Sequence, residues 1–401
     1  MASTECCIAT LCEHKAGAPW KREELELQLQ MIMCMQGGDG DGSYARNSEA
    51  PASAIDICRP LLEEAINAIP LCRFVSHSCL HIADLGCATG ANTLATVDLV
   101  IRCISQRFRH DTHDPPEFEA SFSDLPSNDF NSLFRSLPPP HRPYFAAGVP
   151  GSFYHRLFSR GKLHVAVSLS ALHWMSRVPK SVLDKRNPAW NGGRAWIDGA
   201  KPEVAAAFAK QAEEDLHEFL LCRADEMASG GLLFLLMAAR PDSDHHHPGR
   251  QLGDDVSRAK HPFTTCMDLA WSDLVRDGLI EEGTRDEFNV PVYMRSMDEV
   301  RRGFDACAHL FEVQKMEYMR VPEHSQEKQD AYAGDPAAYG RSKANLVRAT
   351  LRPLIESHLR SPVLCDEFFH RFETHASLSH DPSLRHRNCF YDVLVVSAIR
   401  K

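Results

Sequence analysis

No two cysteines in this chain stand at C-x-x-C spacing. Its 14 cysteines are scattered, and only Cys6 and Cys7 are close neighbours. Neither a disulfide framework nor a zinc site is built that way, so reduced, mostly buried thiols and a cytoplasmic setting are expected. Positive charge is short: 44 Lys and Arg stand against 54 Asp and Glu, a formal charge of −10. That argues against a nucleic-acid partner, whose binding face is normally basic. No apolar run approaches the ~20 residues of a membrane span. Met1 to Leu11 has no basic segment ahead of its weak apolar stretch, so neither a signal peptide nor a membrane anchor is expected. No internal repeat is present. A dinucleotide fingerprint is also missing. Gly86 and Gly90 stand as G-x-x-x-G, with no glycine at position 88, and Asp111 and Asp114 lie in a polar stretch; this spacing argues against a nicotinamide dehydrogenase. Asp39-Gly40-Asp41-Gly42 begins like a calcium loop, but its sixth position is Tyr44 and its twelfth Ala50. His245-His246-His247 sit in a polar stretch closed by Pro248-Gly249 and read as a solvated loop rather than a ligand cluster.

What is present is an ordinary globular composition, 44% hydrophobic and 24% charged over 401 residues. That length serves two domains or one enlarged one. The informative stretch runs from His81 to Asn92. Leu80, Ile82, Ala83 and Leu85 read as a buried strand, Gly86 and Gly90 bracket a turn, and Leu94, Val97, Ile101, Ile104 and Phe108 recur at helical spacing. A strand, a glycine turn and a helix in that order place a ligand at the carboxyl end of a strand in an open α/β sheet.

The rest of the chain continues the alternation. Lys21 to Gln30 reads as a leader helix and Met31 to Tyr44 as a flexible loop closing over a ligand. Pro60 reads as the first turn of a helix. Phe118 to Phe122 is a second strand; Asp124 at its end suits ribose hydroxyls. Asn128 to Leu137 reads as a helix, Tyr144 to Val149 and Leu163 to Leu169 as strands three and four. The fourth strand ends at Ser170-Ala171-Leu172-His173-Trp174. A long helix opens near Pro202 and is stopped by Gly230-Gly231 before a fifth strand, Leu232 to Met237. An amphipathic helix carrying Phe263, Met267, Trp271 and Leu274 follows, and Asp286 to Tyr293 reads as a loop. Glu312 to Val321 reads as a strand, 322–340 as a polar loop, 341–376 as helices, and Asn388 to Arg400 as a core strand. Alternation up to residue 240 implies a parallel sheet.

The stretches MQGGDGDGSYARNS, IADLGCATGANT, SDLPSNDFNSLF, GVPGSFYHRLF, SLSALHWMSRVP, NGGRAW and DEFNVPVY stand in this order from about residue 31 onward. Together they resemble the plant SABATH methyltransferases, which methylate small carboxylic acids or xanthine nitrogens. The resemblance implies a Rossmann-like class I methyltransferase sheet with a helical cap. Residues 1–30 form an extension outside it; 31–240 with 300–321 and 386–401 form the cofactor-binding core, and 241–299 with 322–385 the substrate-binding cap. It implies S-adenosylmethionine at Tyr44, Ser48, Asp84, Gly86, Cys87, Asn92, Asp124, Leu125, Ser152 and Phe153. It implies substrate contacts at Gln36, Ser170, His173 and Trp174, the last two at the reacting centre. Some members carry magnesium away from the chemistry, matched here by Asn191, Asp286, Phe288 through its carbonyl, and Asn289; the alternative is an empty loop-tethering cluster. A homodimer is implied as well.

Three positions depart from the carboxylate-methylating pattern. Gln36 stands where Lys is common, Pro51 where a Gln helps hold the substrate carboxylate, and Ser170 where a Tyr is frequent. A carboxylic acid is ionised at pH 7, so its methylation needs no base, only an oxygen held in line and water kept out. The Trp174 indole offers one N–H donor with a flat apolar body, and His173 a second donor, stronger if protonated. The expected activity is methyl-ester formation on a small aromatic acid of the benzoate, salicylate or cinnamate type. A jasmonate- or indole-acetate-type acid, N-methylation of a xanthine-like heterocycle, and cofactor binding without catalysis stay open beside it.

Overall fold

The computed structural model describes residues 31–401 apart from 71, 76, 111–113, 139–141, 198, 242–261, 323 and 379–389. The leader helix, the Cys6–Cys7 pair and the His245–His247 stretch lie outside the described residues. Seven strands make one sheet: β1 (Cys79–Leu85), β2 (Glu117–Asp124), β3 (Phe145–Pro150), β4 (Leu163–Leu169), β5 (Met227–Ala238), β6 (Phe311–Pro322) and β7 (Phe390–Arg400). Their spatial order is β3-β2-β1-β4-β5-β7-β6. β1 to β5 run parallel, and β7 is wedged antiparallel between β5 and β6. That is the class I methyltransferase sheet. Apolar runs build its centre: β4 is buried from Leu163 to Ser168, as a parallel strand covered on both faces must be.

Helices cover both faces. Helices α1 (Tyr44–Asn47), α2 (Glu49–Ala68), α3 (Cys72–Val75), α4 (Ala91–His110) and α5 (Phe130–Arg135) belong to the first half of the chain, and α6 (Pro202–Glu226) follows β4. Ile66, Leu62, Val97, Val100 and Ile104 from α2 and α4 pack on Ile82, Phe122, Val165 and Phe234 on one face. Phe219, Leu220 and Ala224 of α6 pack on Leu85, Ala166 and Leu235 on the other. Helices α7 (Pro262–Arg276), α8 (Glu282–Glu287), α9 (Met297–Ala306), α10 (Gln326–Gly334), α11 (Pro336–Leu359) and α12 (Pro362–Leu378) complete the chain. A separate apolar core gathers Trp271, Phe288, Val347, Ile355, Phe368, Phe369 and Phe372, and it also takes in Met175, Trp196, Val204 and Phe208. The helical layer is thus founded partly on residues 175–212, inside the stretch that the sequence reading gave to the sheet unit. No helix among the described residues is long and apolar enough to cross a membrane.

Four sequence expectations need correction. Pro60 lies inside α2, which begins eleven residues earlier at Glu49. Its ring faces solvent, where water can meet the carbonyl that loses its partner. The glycines at 230–231 do not stop α6. The helix ends at Glu226 and β5 starts at Met227. Gly230, at φ +84°, lies where the β4–β5 register shifts, so these glycines serve a bulge in the strand. The stretch 322–340 is not a polar loop but holds α10 and the start of α11. The helix expected over 128–137 is shorter, Phe130–Arg135, with Asp129 as its N-cap.

Candidate active site

The carboxyl ends of β1, β2, β3 and β4 meet along one edge of the sheet, and most of the expected site residues stand there. At the end of β1, Gly86 has φ +86°, and a Cβ on it would come within 2.3 Å of the Ala171 Cβ beyond β4. Glycine is required there on both counts. Ala88 follows at φ +49°, a strained value for a non-glycine residue. That conformation aims its N–H at Asp124 Oδ2 (2.7 Å), while Leu125 N donates to Oδ1 (2.8 Å). Asp124 is therefore fixed by its neighbours and keeps acceptor capacity on both oxygens. Burial pushes its pKa up to about 6, with the two backbone donors pulling the other way.

Around it lies a group of buried polar atoms without protein partners: Ser43 Oγ, Asp84 Oδ1, Thr89 Oγ1, Asn92 Nδ2 and Asn128 Oδ1. Buried polar groups are normally satisfied, so such a concentration marks a cradle for a polar ligand. Burial raises Asp84 to about 7, opposed by the nearby Thr93 hydroxyl and helped by the Asp124 charge. The Tyr44 hydroxyl is held above its usual range by burial and by the charges of Asp124 and Asp84. The Cys87 thiol is pushed well up by burial, so it is no nucleophile here. Ser48 is the buried N-cap residue of α2.

The loop ahead of α1 is tied down at both sides. Gln36 N donates to Ala349 O of α11 (2.8 Å), Gly38 N to Asp129 Oδ2 (3.2 Å), and Tyr44 N to Gln36 O (2.9 Å). Gly37 packs so closely that a Cβ would meet the Asp129 side chain at 2.8 Å. Past β3, Ser152 is buried and accepts from Tyr154 N at 3.3 Å. The Phe153 ring meets Tyr154 and Phe219 edge-on at 4.7 and 5.9 Å. A fully buried pair sets this loop from behind. Arg223 donates to the carbonyls of Phe153 (2.6 Å) and His155 (3.0 Å) and pairs with Glu226 at 2.7 Å. Glu226 Oε1 accepts from Leu157 N and Phe158 N.

After β4, Ser170 turns at φ +60° and donates its N–H to Leu236 O (2.7 Å). This brings His173 and Trp174 to the same edge, with ring centroids 6.2 Å apart. His173 Nδ1 is buried without a partner. Burial, and then the charge of Arg295, lowers its pKa to about 4. It is neutral at pH 7, so any hydrogen bond it donates is that of the uncharged imidazole. No described residue accepts the Trp174 indole N–H.

The cation cluster is a different matter. Asn191, Asp286, Phe288 and Asn289 do come together and are buried. Asp286 Oδ1, however, already accepts from Gly193 N (2.9 Å) and from Arg285 Nε and Nη2 (2.9 and 2.8 Å). Asn289 Oδ1 accepts from Asn191 Nδ2 at 2.7 Å. A guanidinium bound to the one carboxylate opposes a second cation. These residues do not fit magnesium as they stand; they fit a tether between the end of α8, which takes in Asp286 and Glu287 of the expected loop, and the segment 288–293.

A family profile described as "SAM dependent carboxyl methyltransferase" matches residues 30–401. The chain belongs to the SABATH methyltransferases. Among relatives, gibberellic acid methyltransferase 2 of Arabidopsis thaliana is 48% identical over 365 residues, covering 89% of this chain and 92% of the relative. Indole-3-acetate O-methyltransferase 1 of the same plant is 39% identical, covering 84% and 87%. A solved loganic acid methyltransferase with SAH superposes with a TM-score of 0.78 at 29% identity, covering 92% of this chain and 98% of that one. This SABATH chain is thus an S-adenosylmethionine-dependent carboxyl O-methyltransferase. Asn128, Thr89, Ala88 and Arg223 were not singled out from the sequence. Asn128 and Thr89 stood inside the matched motifs, and a polar residue there was the available signal. Ala88 acts through its own backbone N–H and Arg223 on backbone carbonyls distant in sequence, and neither carries such a signal.

Proposed function

We propose that this enzyme forms the methyl ester of a gibberellin-type carboxylic acid, with the acceptor held at His173 and Trp174. The observation that carries the carboxylate reading is the Trp174 indole N–H, which no described residue accepts, beside a neutral imidazole. The two side chains offer N–H donors, and the imidazole, with its pKa lowered to about 4, is at most a weak base. An ionised acid needs donors and no base, whereas a nitrogen acceptor that must shed a proton needs one. The relatives named for gibberellic acid, 48% and 46% identical along nearly their whole length, support a bulky alicyclic acid over a benzoate or cinnamate. Pro51 fits this reading. It lies in the first turn of α2, where the missing N–H costs nothing, and it replaces a polar donor with a rigid apolar ring.

In this reading Asp124 accepts the ribose hydroxyls, Asp84 and Asn92 supply further polar contacts, and Phe153 walls the sulfonium. The cofactor, when bound, supplies a methyl group already activated for displacement. The protein binds the two partners, orients one carboxylate oxygen behind that methyl at roughly 3–3.5 Å, and excludes water. With the cofactor held at Asp124, Asp84 and Asn92, the new O–CH₃ bond would form as the S–CH₃ bond breaks, the sulfur keeping the electron pair and no proton moving. The Asp286 cluster takes no part in the step. Incubation with labelled S-adenosylmethionine and a panel of gibberellins, indole-3-acetate, jasmonate, salicylate and xanthines tests the reading. Labelled ester from a gibberellin is expected; label only in an aromatic acid or a xanthine overturns it.

A further inference from the structure

The turn from Leu172 to Met175 carries the two acceptor-side rings, and its carbonyls are held from outside. Tyr293 N donates to His173 O at 2.9 Å. The Tyr154 hydroxyl donates to Trp174 O at 2.5 Å. Leu172 O is held by Arg295 Nη1 at 2.6 Å. The same guanidinium reaches α6 with its other face, donating from Nε and Nη2 to Ala212 O at 3.2 and 2.7 Å. One residue between α8 and α9 thus ties the acceptor turn to the long helix beneath it.

Arg295 is only 2% exposed. Two backbone carbonyls could be satisfied by a neutral amide. A buried guanidinium instead carries a desolvation cost of several kcal/mol that a counter-charge must offset. Among the described residues no carboxylate forms an ion pair with it. Asp215 on α6 lies near enough to feel its charge. Yet the Asp215 oxygens are taken by Ser176 N, Ser176 Oγ and Gln211 Nε2 at 2.7–2.8 Å. The other titratable neighbours, Tyr154 and His173, are both neutral at pH 7. A fixed positive charge therefore stands behind the acceptor turn with no counter-ion in contact.

We propose that Arg295 is a positioning residue that also selects for charge: it sets the turn presenting His173 and Trp174, and its guanidinium favours an anionic acceptor in front of that turn. This rests on reading His173 and Trp174 as the acceptor-binding pair. The test uses the full chain with Arg295→Met and Arg295→Lys. Three quantities are measured: the Kd of S-adenosylmethionine, kcat and KM for the methylated acid, and the Ki of the primary amide of that acid as a neutral competitor. Arg295→Met is expected to leave the cofactor Kd within about twofold and the amide Ki within about threefold, but to raise KM for the acid about tenfold and lower kcat. Arg295→Lys is expected to keep the wild-type preference for acid over amide while losing kcat, because an ammonium cannot fork to two carbonyls. Wild-type kcat and KM in Arg295→Met, or acid and amide weakened in parallel, overturns the inference. If Arg295→Met does not fold, Arg295→Lys decides: full kcat, or a lost acid preference, overturns it. A wild-type enzyme that methylates only neutral heterocycles sinks the carboxylate reading, and charge selection falls with it. A wild type active on acids with an equally active Arg295→Met sinks Arg295 alone.

Discussion

At the scale of single residues the site divides into atoms that wait for a ligand and atoms that hold those atoms still. In the proposed reading Trp174 is of the first kind. Trp174→Phe keeps most of the apolar wall and deletes one donor to a charged oxygen, a loss of roughly 1.5–3 kcal/mol. Steady-state kinetics should show kcat/KM lower by about 10- to 150-fold with cofactor affinity unchanged; wild-type turnover would place Trp174 in the core instead. Asp124 is of both kinds, since it accepts from Ala88 and Leu125 and keeps lone pairs for a ribose. Asp124→Asn removes the charge and exchanges an acceptor for a donor, so calorimetry should find S-adenosylmethionine bound about 10- to 100-fold more weakly. An unchanged Kd in a folded variant would remove the ribose role. The place of Asp124 at the end of β2 was readable from sequence because the strand pattern fixes where the strand stops. Ala88 was not, because its contribution is a backbone N–H aimed by a positive φ that no side chain advertises.

At the scale of elements, the loop after β3 owes its shape to a salt bridge on α6. Arg223 and Glu226 have no exposed surface, and between them they satisfy four backbone groups of residues 153–158. Glu226→Ala strands a buried guanidinium and two N–H groups, so a loss of about 3–5 kcal/mol is expected. Thermal unfolding should show it as a fall in Tm of many degrees; a shift of a degree or two would mean that water replaces the carboxylate without strain. Strands and long amphipathic helices were legible because burial imposes period 2, period 3.6 or an unbroken apolar run. Helix α10 was not, because none of its residues is buried and its pattern resembles a loop. The start of α2 was missed because Pro60 looked like a first turn, yet proline on a solvent-facing position well inside a helix is tolerated here. Arg295 was invisible because its partners, Leu172 and Ala212, lie far away in sequence and offer only carbonyls.

At the scale of the whole molecule, the proposed cofactor cradle brings together two carboxylates whose pKa values burial lifts, Asp84 to about 7 and Asp124 to about 6. Between about pH 4 and pH 6 both hold protons that the unfolded chain has lost. Their contribution to stability is therefore fully present below the ordinary carboxylate range and is lost as pH rises through 6 and 7. A cationic cofactor reverses the preference, because it favours the ionised pair. Affinity for S-adenosylmethionine should then rise with pH up to about 7 and level off above it, with Kd at pH 5.5 weaker than at pH 8 by about tenfold or more. Proton release on binding near pH 6.5, measured calorimetrically in two buffers of different ionisation heat, checks the same linkage. A Kd flat from pH 5.5 to 8 would mean that the carboxylates are ionised before binding.

The place of β7 has a consequence for the order in which the molecule assembles. It fills the slot between β5 and β6, and it pairs Leu232–Ala238 of β5 with Val393–Ile399. The two strands are separated by the whole helical layer, about 150 residues of chain. Until that layer has been made and folded back, the apolar edge of β5 is an open strand edge of the kind that recruits other chains. Contacts this distant in sequence form slowly. The helical layer therefore serves a second end, since its packing is what delivers the strand that closes the sheet.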